Sequence, residues 1–242
     1  MFEIIDFSKK YEGASKYSAY KINLKVNDGE VCGLVGSNGA GKSTLIKSMT
    51  GILPYSEGTV IINGYDLRKQ PVKAKKNIGY VPDDHTVYDK LTGREYVNLM
   101  GSMYGVEKQR KRAILDALAT RFNLMHALDD QISSYSHGMK QKICIIGAMI
   151  HNPKVWVLDE PMVGLDPQTM AEVMKLIREH AARGNSVVFS SHNLDVVRRV
   201  CDKIAFIVQG RLVSVIDAAT ARNPAFDLDA YFMELNGKWN RY

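Results

Sequence analysis

The segment Val31-Cys32-Gly33-Leu34-Val35-Gly36-Ser37-Asn38-Gly39-Ala40-Gly41-Lys42-Ser43-Thr44 decides the fold. Its first five residues form an apolar run of the kind a strand buried on both faces requires. Gly36 to Ser43 then fits G-x-x-x-x-G-K-[ST], and residues 42–50 continue as a helix. Strand, glycine-rich turn and helix in this order are the context in which the pattern holds phosphate. The glycines let backbone N–H groups turn inward on phosphate oxygens, and the helix N-terminus adds positive potential. Lys42 reaches the outer phosphates, and the Ser43 hydroxyl suits Mg²⁺.

Working outward, residues 3–7 and 21–26 read as strands before this motif. Residues 59–62 and 78–81 read as strands after it, separated by the turn Asn63-Gly64. From about residue 84 to 152 the pattern turns helical, with segments at 93–104, 107–123 and 137–150. Strands return at 155–158 and 187–190 around a helix at 167–182 that has Pro167 in its first turn, where a missing N–H costs nothing. Strand, helix, strand in that order implies a parallel crossover. Residues 204–208 and 212–216 flank Gln209-Gly210 as a hairpin. The expected fold is α/β: a P-loop NTPase core with a mixed sheet, spanning residues 1–84 and 152–220. A helical subdomain at 85–151 interrupts it, and 221–242 form a short C-terminal tail.

Composition is compatible with this and excludes other classes. At 242 residues, 45% hydrophobic and 24% charged, with 7 Pro and 19 Gly, the chain is neither disordered nor collagenous. The longest apolar run, residues 143–150, is far short of the roughly 20 residues that span a bilayer. Acids at Glu3 and Asp6 do not fit a signal peptide, so the expected location is the cytosol. Cys32, Cys144 and Cys201 lie far apart among apolar neighbours and read as buried free thiols. The net charge of +6 is modest and spread out. Its densest patch, Lys108 to Arg112, reads as the solvated face of a helix rather than a nucleic-acid site.

Val155-Trp156-Val157-Leu158-Asp159-Glu160 is a buried strand ending in two acids, at the carboxyl edge of a parallel sheet where ligands bind. There Asp159 would hold Mg²⁺, directly or through water, and Glu160 would act as base toward an attacking water.

Tyr135-Ser136-His137-Gly138-Met139-Lys140-Gln141 resembles the signature motif of the ATP-binding cassette (ABC) proteins, in the YSxGM form of one group of exporters. It starts its serine 94 residues after Lys42 and 23 before Asp159, a spacing foreign to kinases, GTPases and helicases. The resemblance covers nearly the whole chain and implies an ABC ATPase domain that binds ATP with Mg²⁺. Gly36 through Thr44 would contact the nucleotide, and Ser136, His137, Gly138 and Met139 would meet the nucleotide held by a partner chain. Asp166, in Gly164-Leu165-Asp166, resembles the D-loop acid. His192 resembles the switch histidine that contacts the γ-phosphate. Tyr11 resembles the aromatic that stacks on adenine, although it could equally pack in the core.

Two departures stand out. Val81-Pro82-Asp83-Asp84 replaces the usual glutamine with Asp83, which can still ligate Mg²⁺ but lacks an amide donor. His137 replaces a usual glycine and is either near the partner's nucleotide or a solvent-facing residue at a helix start. The implied partners are a second ABC ATPase subunit, identical or not, and a separately encoded transmembrane permease that holds the chain at the cytoplasmic face. The helical subdomain and the loop after Asp83 are the expected permease face. The implied function is the ATPase subunit of a transporter, an exporter by its signature type. The rival is a soluble non-transport ABC ATPase, but no coiled-coil heptads or second cassette supports it.

Overall fold

A computed structural model of the chain describes residues 1–84 and 88–239. Among the described residues ten strands form two sheets. The first contains β1 (Phe2–Lys9), β2 (Ala19–Val26), β4 (Glu57–Ile62) and β5 (Tyr65–Asp66), in the order β2-β1-β4-β5, all antiparallel. The second contains β3 (Val31–Val35), β6 (Ile78–Val81), β7 (Val155–Leu158), β8 (Ser186–Ser191), β9 (Lys203–Val208) and β10 (Arg211–Asp217), in the order β10-β9-β3-β8-β7-β6. Every pairing there is parallel except β9 with β10, which form the expected hairpin. Strands β3, β7 and β8 are buried at every residue, as helices on both faces of a parallel sheet dictate.

The helices follow capping chemistry. Helix α1 (Lys42–Met49) has no side-chain cap and no acid in its first turn, so its N-terminal N–H groups stay available to an anion. After the short α2 (Pro71–Lys75), helix α3 (Gly93–Met103) begins with a capping box. Thr92 Oγ1 accepts from Glu95 N at 3.1 Å, and Glu95 Oε2 accepts from Thr92 N at 2.9 Å. Helices α4 (Lys108–Arg121) and α5 (His137–Met149) complete the helical arm, with α5 capped by Ser136. Helix α6 (Pro167–Ala182) is capped by Asp166, which accepts from Thr169 N at 2.9 Å and Thr169 Oγ1 at 2.6 Å. Helix α7 (Leu194–Val200) is capped by Asn193, and α8 (Ala218–Arg222) and α9 (Leu228–Trp239) follow the last strand. All three cysteines are buried free thiols, and burial pushes the Cys32 and Cys144 thiols up to about 12.

One expectation needs correcting, and two segments carry structure the sequence left unspecified. The Asn63-Gly64 turn joins β4 to β5, not to β6, which lies in the other sheet. Leu194–Val200, to which the sequence assigned no element, is helical, because Asn193 caps it and Leu194, Val196, Val197 and Val200 bury one face. The segment expected as a short C-terminal tail is helical over most of its described residues, 221–239. Leu228 is fully buried, and Phe226, Tyr231, Phe232 and Leu235 pack on the core. Among the described residues no helix is long and apolar enough to cross a membrane.

Candidate functional site

The carboxyl ends of β3, β8, β7 and β6 lie side by side, so the loops that follow them converge. After β3 the chain enters the loop Gly36–Gly41. Gly41 adopts φ +104°, and a Cβ there would sit 2.3 Å from the carbonyl oxygen of Ser18, so only glycine fits. Lys42 folds back along the loop and donates to the Gly36 oxygen at 2.7 Å and the Ser37 oxygen at 3.2 Å. Its ammonium is also 3.9 Å from Oε1 of Glu160.

Glu160 follows β7 with φ +46°, a left-handed conformation uncommon for a residue other than glycine and held here from both sides. Its N–H donates to Ser190 Oγ at 2.8 Å, while the next carbonyl, Pro161 O, accepts from Gln141 Nε2 at 2.9 Å. Its carboxylate is 14% exposed, and Oε2 lies 3.0 Å from His192 Nδ1. His192 itself is 62% exposed at the end of β8. Lys42, Glu160 and His192 therefore form one chain of polar contacts, an ammonium, a carboxylate and an imidazole.

Asp159 is fully buried. Its Oδ1 accepts from Ser190 Oγ at 2.6 Å, whereas Oδ2 has no hydrogen-bond partner among the described residues. A buried carboxylate oxygen without a donor is costly, and a bound cation would relieve that cost. Ser43 and Asp83 line the same cleft as Lys42 and Glu160 and offer two more side-chain oxygens. An all-oxygen donor set of this kind fits Mg²⁺.

The cleft holds about 980 Å³, enough for a nucleotide. Asn38, Gly39, Gly41 and Thr44 line it alongside the residues above. Gly36 and Ala40 are buried beneath it, and Ser37 is exposed at its rim. Tyr11 does not pack in the core: it is 40% exposed, its hydroxyl lies 3.4 Å from Thr44 Oγ1, and Lys9 Nζ stands 4.8 Å from its ring centre. It is outside the cleft lining, whose aromatic side chains are Tyr17, Tyr20 and Trp239.

Ser136, His137, Gly138 and Met139 do not line this cleft. Ser136 Oγ accepts from Met139 N at 3.3 Å. His137 is exposed and packs over Gly164, where an added Cβ would lie 2.3 Å from the imidazole Cδ2. Gly164-Leu165-Asp166 thus rests against the start of α5 in the same chain, and Lys142 Nζ lies 4.0 Å from Asp166 Oδ2. The sequence reading missed Ser190 and Gln141 as site residues. Ser190 stands two residues before His192, and nothing local marks its partners, because the register of β7 against β8 creates them.

Comparison with known proteins agrees with this geometry. The ABC transporter family model matches residues 20–163. The linearmycin resistance ATP-binding protein LnrL of Bacillus subtilis is 35% identical over 80% of this chain, and the match spans 62% of LnrL. The ABC transporter ATP-binding protein NatA of the same organism is 29% identical, over 96% of this chain and 97% of its own. A solved structure of the ATP binding subunit of an ABC transporter superposes with a TM-score of 0.90 at 30% identity, covering 97% of this chain and 99% of that one.

Proposed function

The chain belongs to the ABC transporter family, and from that premise we propose that it binds and hydrolyses ATP as the motor subunit of a transporter. The observation that carries the reading is the linked set at the sheet edge, with Lys42 3.9 Å from Glu160 and Glu160 3.0 Å from His192. The P-loop amides and Lys42 bind the phosphates. Glu160 takes a proton from the water that attacks the γ-phosphate, and His192 holds the Glu160 carboxylate in line. Ser43, Asp159 and Asp83 would hold Mg²⁺, which when bound offsets phosphate charge. The Lys42 ammonium neutralises charge on the phosphoryl group as it transfers.

Signature residues absent from the cleft of their own chain support a head-to-tail dimer, in which Ser136 through Met139 complete the partner's site. In this reading residues 1–84 and 152–220 are the catalytic core, and 85–151 are the arm that carries the signature. Tyr88, Leu99 and Met103 on that arm are exposed, which supports contact with a separately encoded membrane subunit at the cytoplasmic face. Single cysteines at Tyr88 and Lys90 should crosslink to that subunit. The YSHGM signature and a relative named for linearmycin resistance favour export.

The test is Glu160→Gln, which keeps size and a hydrogen-bonding oxygen but removes the base. MgATP binding should persist while turnover falls by about 10² to 10⁴. An ATP-bridged dimer should then accumulate in size-exclusion chromatography. Turnover within threefold of wild type would move the base elsewhere.

A further inference from the structure

The nucleotide cleft has an aromatic end that the P-loop chemistry does not use. Tyr17 and Tyr20 stand there with ring centres 4.9 Å apart, and Arg211 from the β9–β10 hairpin lies 4.5 Å over Tyr20. Trp239, at the last turn of α9, lines the same space. This end adjoins the start of α1, since the Ser18 carbonyl and Gly210 press on Gly41.

Helix α9 reaches the cleft from a firm anchor. Phe206 of β9 meets the rings of Tyr231 and Phe232 at 5.6 and 6.1 Å. Ser214 Oγ and the Tyr231 hydroxyl lie 2.7 Å apart. The eight steps from Tyr231 to Trp239 advance the helix by about 12 Å. The strand that fixes Tyr231 also supplies Arg211 to the cleft, so hairpin and helix hold one wall between them. The helix lies outside residues 20–163.

A flat, π-rich, uncharged group joined to an anion matches a cleft with phosphate ligands at one end and aromatic side chains at the other. We propose that α9 is part of the nucleotide site, and that the Trp239 indole contacts the base and sugar of the nucleotide whose phosphates sit on the P-loop. This rests on the reading that the cleft takes a nucleotide. Trp239 then sets how strongly affinity depends on the base, while the phosphates anchor independently.

The test exploits the presence of only two tryptophans, one of which, Trp156, is fully buried in the core. Fluorescence and calorimetry with ADP and with pyrophosphate separate the two ends of the cleft. ADP should change the emission of wild type but not of Trp239→Phe, and pyrophosphate should change neither. Trp239→Ala should weaken ADP binding by about tenfold, the scale of losing one base stack, with pyrophosphate affinity within twofold of wild type. Trp239→Phe should recover most of that loss. ADP affinity within twofold of wild type in Trp239→Ala would overturn the proposal, as would an equal loss for pyrophosphate. Wild type that binds neither ligand would overturn the nucleotide reading with it.

Discussion

Ser190 donates its hydroxyl proton to Oδ1 of Asp159 at 2.6 Å. Ser190 Oγ in turn accepts the N–H of Glu160, so one hydroxyl on β8 positions both acids at the end of β7. Hydrogen bonds to charged groups are worth about 1.5–3 kcal/mol, which corresponds to about 10- to 100-fold in rate if the alignment matters for turnover. Ser190→Ala should lower kcat by that factor and raise the Mg²⁺ concentration needed for half-maximal activity. Ser190→Thr should restore both. Turnover and Mg²⁺ dependence both unchanged in the alanine variant would make Ser190 a packing residue only.

Dimerisation should be visible in the kinetics. In the proposed head-to-tail dimer each chain would supply Ser136 through Met139 to the other's nucleotide, so specific ATPase activity should rise with protein concentration or on adding the membrane subunit. A constant specific activity from a proven monomer would refute the shared site.

Two buried histidines predict acid sensitivity. Burial pushes His151 and His180 down to about 4. Tyr104 stacks on His151 at 3.6 Å, and Trp156 meets His180 edge-on at 5.6 Å. The unfolded chain binds protons near pH 6.5, whereas the folded chain resists until about 4. The stabilisation is therefore complete above 6.5 and lost as pH falls toward 4, on the order of 2 kcal/mol per histidine. His180→Phe should gain stability relative to wild type as denaturation is repeated at pH 7, 5.5 and 4.5. A pH-independent difference would show that His180 titrates normally.

Arg121 at the end of α4 clasps α6 through two carboxylates. Its Nε donates to Glu172 and its Nη1 to Glu179, each at 2.7 Å. The Arg121 hydrogen bond holds the Glu179 carboxyl below its usual range. That contribution is present above the ordinary Glu pKa and fades as pH falls through the lowered one. Arg121→Ala should destabilise by about 1–2 kcal/mol at neutral pH and flatten this part of the acid response. Arg121→Lys should recover only part, since an ammonium cannot fork to both partners. Urea unfolding of the three proteins decides it.

The strands and helices read most closely from sequence were those with unmistakable chemistry. β3, β6, β7 and α6 have the bounds their apolar runs and Pro167 indicate. Leu194–Val200 escaped because three valines and a length of seven residues oppose helix on propensity, and only the Asn193 cap and the buried face override it. β5 and α2 are too short to show a period. Lys42, at the start of α1, and Asp159, Glu160 and His192, just past strand ends, were legible as motif residues. Ser190 and Gln141 were not, because their roles come from the partners that strand register and helix packing bring, at 31 and 20 residues' separation. Trp239 had no signal at all, since its place depends on where a helix anchored by Tyr231 ends.

The bond from Gln141 to the Pro161 carbonyl makes α5 and the loop beginning at Glu160 a single lever within one chain. The end of that lever at Ser136 would feel the other protomer's ATP, and its fulcrum lies beside Glu160, the proposed base. Occupancy of one site should then tune the other, so that the two halves of the motor fire as a coupled engine rather than as independent cylinders. In a mixed dimer with one Lys42→Ala chain, the remaining intact P-loop should deliver far less than half the wild-type rate. Retention of a full half would mean the lever transmits nothing.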